Sequence, residues 1–181
     1  MRSPHAVLCL AIGLAAAVAG CGSSSAPKQA VAPNGPEVSP SGDIPDNQAY
    51  VPYRVPGQRL TLKVPEGWAQ GRRQGIVTFT DKLNTIDVRV IGAARAPSTR
   101  TVSAPRGARV SAVHRTAGPA IRVAYLARSA ADPVTGRTRA DAVERYLFFH
   151  AGRELVLTLS GPKGADNVDP WRLVTDSVAW R

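Results

Sequence analysis

The chain has 181 residues, 44% of them hydrophobic, and a formal net charge of +10, which is enough for one ordinary domain with a core of its own plus a tether. Its two cysteines, Cys9 and Cys21, both lie near the N-terminus, so a disulfide-stapled scaffold is excluded for the rest of the chain. Of the 23 basic residues 19 are arginine, and nine of these fall between Arg95 and Arg139 against a single acid, Asp132.

The N-terminus is Arg2 followed by an almost wholly apolar run from Ala6 to Ala19, the length of a signal-peptide core and too short to span a bilayer, which takes about 20 residues. Val18-Ala19-Gly20-Cys21 follows, with Gly22-Ser23-Ser24-Ser25 as its exit. This resembles a bacterial lipobox. The resemblance implies that residues 1–20 are a lipoprotein signal peptide, that Cys21 carries the lipid (palmitate and its kin), and that the mature chain sits on the extracytoplasmic face of the cell membrane. The alternative is an ordinary secreted protein, cut at a small-residue site and keeping Cys21 as a free thiol. From Cys21 to Gln48 the chain is rich in serine and proline and lacks an apolar pattern, so we expect a disordered tether over 21–48 with a reach of roughly 30 Å. The domain is then 49–181.

Within it Arg59 to Val64 alternates, with Leu60, Leu62 and Val64 on one face, and reads as a half-buried strand closed by the turn Pro65-Glu66-Gly67. Trp68 is placed to close the end of the core. Ile76–Thr80 and Thr85–Ile91 are the next two strands, joined by a hairpin at Asp81 to Asn84. Pro97 and Pro105 break the stretch from Ala93 to Gly107, which reads as loop with one helical turn near Thr101. Strands over 109–116 and 119–128 pair around Ala117-Gly118, and Asp132 to Gly136 is a loop at a hairpin end. The strand from Ala142 to His150 is apolar on both faces and so is central. Arg153 to Ser160 follows it, with Leu155, Leu157 and Leu159 facing the core. After a loop, Asp169-Pro170 starts a helix, with Asp169 as N-cap and Trp171, Val174 and Val178 as its docking stripe. Many antiparallel strands and a C-terminal helix make the class α+β, with a central antiparallel sheet of about six to seven strands and the helix packed on it.

The run Leu62-Lys63-Val64-Pro65-Glu66-Gly67-Trp68 with a short strand ending in Asp81, and the tail from Arg145-Tyr146-Leu147-Phe148-Phe149 through Leu155 to Ser160 into a helix, resemble PsbP-like domains. The likeness spans most of residues 50–181. It implies a central antiparallel sheet flanked by helices, in a fold used mainly for binding and assembly. The number of flanking helices stays open, because little helix is evident between the two halves.

Catalytic signatures are absent from the sequence: no G-x-S-x-G, H-E-x-x-H, phosphate-binding P-loop or C-x-x-C occurs. His114 and His150 sit at strand ends. Ser160, His150 and Asp166 supply the residue types of a hydrolytic triad and nothing more specific. Asp166 to Asp169 offers oxygen ligands for calcium but lacks the loop pattern of an EF-hand, and capping explains it better. Asp141 and Glu144 point to opposite faces of a strand. Trp68, Trp171 and Trp180 suit core and edge packing better than a sugar platform. No catalytic residue, metal site or cofactor is therefore expected. Arg109 and Arg115 share one strand parity and Arg122 and Arg128 another, so these four are the candidate surface for an anionic partner, beside the reading that they are a solvated face. An exported basic domain meets lipid headgroups and acidic wall polymers before any nucleic acid, so the expected function is a non-enzymatic binding or accessory module of the envelope, contacting a membrane protein complex or an anionic polymer. An envelope hydrolase with an unfamiliar site, or a ligand-delivery component of a transporter, is the alternative.

Overall fold

The computed structural model describes residues 40–181 except Lys82 and Pro133, so the lipobox with Cys21 and most of the 21–48 segment lie outside the described residues. Ten strands and one helix follow in order: β1 (Tyr50–Arg54), β2 (Leu60–Pro65), β3 (Ala69–Arg73), β4 (Ile76–Thr80), β5 (Thr85–Gly92), β6 (Arg109–Arg115), β7 (Gly118–Arg128), β8 (Ala140–His150), β9 (Arg153–Pro162), α1 (Val168–Asp176) and β10 (Ala179–Trp180). The main sheet has seven strands in the order β3-β4-β5-β9-β8-β7-β6, and a small sheet has the order β1-β2-β10. Every pairing is antiparallel. Two meanders, β3-β4-β5 and β6-β7-β8-β9, are sewn together where β5 pairs with β9. The expected class, with its seven-stranded sheet and C-terminal helix, is what the chain adopts.

The alternating residues explain the layering. Val77, Phe79, Ile86, Val88, Leu155, Leu157, Leu159, Tyr146 and Phe148 form the inner face of the main sheet, closed by Leu60, Leu62 and Val64 of the small sheet and by Trp171, Val174 and Val178. β2 therefore belongs to a second layer instead of the main sheet, a placement that its period of two leaves open. On the opposite face Ile121, Val123 and Leu147 are covered by Val102 and Ala108 of the connection after β5. That cover explains why β8 is apolar on both sides. The connection contains the expected helical turn, with the Val102 amide donating to the Ser98 carbonyl at 3.0 Å.

Two expectations change. Asp169 lies inside the first turn of α1, and Asn167 occupies the N-cap position without using its side chain to cap. That side chain is committed elsewhere: Asn167 Oδ1 accepts from the Ile44 amide at 2.8 Å, and its Nδ2 donates to the Gly42 carbonyl and to Asn84 Oδ1, both at 3.0 Å. Second, packed structure begins ahead of residue 49, because Ile44 is 4% exposed within the main core. Gly161 lies under this clamp, where a Cβ would come within 2.2 Å of Asn84 Oδ1.

Candidate functional site

The four arginines singled out in the sequence do share a face. Ser111 pairs with Arg122, Arg109 with Ala124 and Arg115 with Gly118, which puts Arg109, Arg115, Arg122 and Arg128 on the inner-face side of β6 and β7, strung along the strands. They do not all face solvent free of partners. Arg122 donates to the Glu144 carboxylate, and Arg115 donates to the Tyr146 hydroxyl at 3.0 Å, lies over its ring and approaches Asp176 at 3.8 Å. Tyr146 in turn donates to Glu144 Oε2 at 2.6 Å. Burial raises the Glu144 pKa, but the bonds from Arg122 and Tyr146 outweigh it and hold the carboxyl below its ordinary value. Burial and the Glu144 bond push Tyr146 up. Arg128 is exposed and bonds only Thr138, at 3.3 Å, and Arg109 is exposed with no ion pair among the described residues.

The chemical sets considered in the sequence come apart. Ser160 pairs with Val143, seven residues along β8 from His150, so the two lie roughly 23 Å apart and on opposite faces. Asp166 sits in the loop before α1, its amide bonded to Asp43 Oδ1 at 2.8 Å. His114 is exposed on the outermost strand, β6. Asp141 pairs with Arg139 at 2.9 Å, on the face away from Glu144. Among the described residues no group of three or more His, Cys, Asp or Glu side chains is placed to hold a metal. Trp171 is core and edges one cleft beside Arg109 and Arg122, Trp180 lines a different one, and Trp68 packs against the core, so the three form no platform.

The cleft that Trp180 lines has a volume of about 780 Å³ and sits at one open end of the sandwich. Two hairpin tips and the C-terminal strand build it. In the β1–β2 tip the Gln58 amide donates to the Val55 carbonyl at 3.1 Å, with Pro56 second and Gly57 (φ 70°) third, the chemistry of a type II turn. The β8–β9 tip is the two-residue turn Ala151 (φ 46°) and Gly152 (φ 76°), both positive as a type I′ hairpin demands. Arg153 donates to Gln58 Oε1 and ties the two tips together. Trp180 is paired with Leu60 and stacks on His150, with centroids 5.3 Å apart and planes 18° from parallel. Its Nε1 is buried without a hydrogen-bond partner. Arg54, Arg59, Arg153 and Arg181 line this cleft, no carboxylate side chain among the described residues does, and none of the four enters an ion pair there.

Sequence reasoning missed this cleft because its residues come from three separate places. The available signal was local: Arg54 and Arg59 bracket one turn, and His150 and Arg153 bracket another. Only the tertiary arrangement of the two sheets brings those turns together.

No family model matches the sequence, and no curated protein matches it. The chain is similar in structure to a protein from Bacteroides thetaiotaomicron, with 10% identity over 68% of this chain and a TM-score of 0.46, and it spans 45% of that protein's length. It is also similar to the cyanobacterial PsbP protein CyanoP of Synechocystis, with 13% identity, 79% of this chain, 100% of that one and a TM-score of 0.49. A third likeness is to the Ran-binding protein Mog1p of Saccharomyces cerevisiae, with 8% identity, 74% of this chain, 96% of that one and a TM-score of 0.48.

Proposed function

We propose that this chain is a membrane-anchored lipoprotein of the extracytoplasmic face that holds an anionic partner without chemistry of its own. The observation that carries the reading is the cleft with four arginines and no opposing carboxylate side chain among the described residues. Guanidinium groups left without a carboxylate partner form charge-assisted, often bidentate bonds to carboxylate or phosphate oxygens, and a concave wall concentrates their field. The lipobox-like run ending in Cys21 supports the anchor. The same cleft favours ligand delivery to a membrane protein over hydrolysis. It is concave and cationic, and its one imidazole, His150, is stacked on Trp180 instead of bonded to a nucleophile.

Two measurements test this. Cells labelled with an alkyne fatty acid should mark the wild type and leave Cys21→Ser unmarked; label and membrane retention in the variant refute the anchor. The full chain should bind tripolyphosphate at low salt and release it at high salt, and salt-independent or absent binding refutes the anionic partner.

A further inference from the structure

The cleft is too large and too apolar for a bare anion. Its 780 Å³ is the size of a site for an organic ligand, and Val55, Pro56 and the Trp180 indole contribute its apolar surface beside the guanidiniums. The indole plugs the open end of the sandwich between β2 and the β8–β9 tip, so it is at once the last layer of the core and a wall of the cleft.

The cleft and the point where the chain enters the domain lie at opposite ends of β9. The β9 strand runs from Arg153, at the cleft, to Pro162, beside which Gly42 is pressed so closely that a Cβ there would meet the proline ring at 2.5 Å. Residues 42–44 are clamped at that far end by Asn84 and Asn167. The chain thus enters the domain about 30 Å from the cleft, at the opposite end of the sandwich.

We infer that the cleft binds an organic phosphate whose anionic group engages Arg59 and Arg153 and whose flat or apolar body lies against Trp180. This rests on the anionic-partner reading above.

The test uses the full chain in phosphatidylcholine nanodiscs, with empty discs as the blank, and three soluble probes: 1-naphthyl phosphate, inorganic phosphate and tripolyphosphate. Naphthyl phosphate should bind about tenfold or more tighter than inorganic phosphate, because the ring leaves water. Arg59→Gln with Arg153→Gln should weaken naphthyl phosphate about a hundredfold, about tenfold for each lost charge-assisted bond. Both side chains are exposed, so the melting temperature should fall by no more than loss of the surface bond from Arg153 to Gln58 brings. Trp180→Leu should abolish the preference for the naphthyl compound and leave inorganic phosphate binding unchanged; should that variant unfold, Pro56→Ser reads out the same apolar wall from an exposed position. Equal affinity for the naphthyl and inorganic phosphates, with tripolyphosphate still bound, overturns this inference and leaves the anionic-partner reading standing. Loss of all three probes overturns both. Replacing half the phosphatidylcholine by phosphatidylglycerol distinguishes the two sources of an organic phosphate: undisturbed naphthyl phosphate binding assigns the cleft to a soluble ligand, and displacement assigns it to a lipid headgroup.

Discussion

Replacing Glu144 by Gln separates the arginines that hold the fold from those free to meet a partner. The Glu144 side chain is 17% exposed and that of Arg122 31%, so the pair lies between a solvated surface bridge, which contributes about 0–1 kcal/mol, and a fully buried one, whose breakage costs about 3–5 kcal/mol. Glutamine keeps an acceptor for the Tyr146 hydroxyl but leaves Arg122 without its counter-charge. We expect a loss of about 2 kcal/mol near pH 7, or roughly 8 °C in melting temperature for a domain of this size. The pH dependence supplies the signature. The folded pKa of Glu144 lies below its ordinary value of 4.5, so its contribution is complete above 4.5 and is lost as pH falls through the folded pKa. Thermal melts of wild type and variant should therefore lie furthest apart near neutrality and converge in acid. Arg122→Gln should cost a comparable amount and couple to Glu144→Gln in a double-mutant cycle, whereas Arg109→Gln and Arg128→Gln should each stay within about 0.5 kcal/mol. A Glu144→Gln melt within about 1 °C of wild type, or a gap that does not close in acid, refutes the reasoning.

Three further outcomes are expected. Gly161→Ala should be strongly destabilising in the wild type, where the new methyl meets Asn84 Oδ1 at 2.2 Å and Asn167 Nδ2 at 2.9 Å, and less so in an Asn84→Ala background, where only the second approach remains; equal costs in the two backgrounds, read by chemical denaturation, exclude the close approach to Asn84. Ala151→Asn should raise stability by about 1 kcal/mol in the same assay, since asparagine tolerates the left-handed backbone that alanine holds there at φ 46°. A fragment beginning at Pro40 should melt cooperatively, and one beginning at Ala49 should be less stable by about 2 kcal/mol or more for want of Ile44; identical melts would place Ile44 outside the core.

What the sequence reveals about this fold follows from where each signal resides. Strands such as β2, β4, β5 and β9 carry their inward residues at alternate positions, and the period of two exposes them directly. The β3 strand, Ala-Gln-Gly-Arg-Arg, is exposed throughout and has no such period; it is a strand because β4 offers it a ladder. The two residues of β10 are too few to carry any pattern. The charge signal between Arg95 and Arg139 misleads for a related reason. The counter-charges of Arg115, Arg122 and Arg139 are Asp176, Glu144 and Asp141, all beyond the window over which the imbalance is counted. A charge count along the chain cannot see pairing across a sheet.

Free and paired arginines therefore differ by location in the fold more than by density in the sequence. The β8 and β9 strands serve three separate tasks along their length: Gly161 accommodates the polar clamp, Glu144 and Tyr146 bind the arginines of β6 and β7, and His150 and Arg153 reach the cleft. The first two tasks are internal and consume the polar groups they gather. The third gathers four arginines at a mouth closed by two tight turns and a stacked ring pair. Nothing in the packing of the core requires those guanidiniums, since Leu60, Leu155 and Trp180 close this end without them. On the anionic-partner proposal, an anion held there adds bonds that only the folded state offers. The predicted sign is specific: a polyanion should raise the melting temperature of the wild type and leave that of the Arg59→Gln, Arg153→Gln variant almost unmoved.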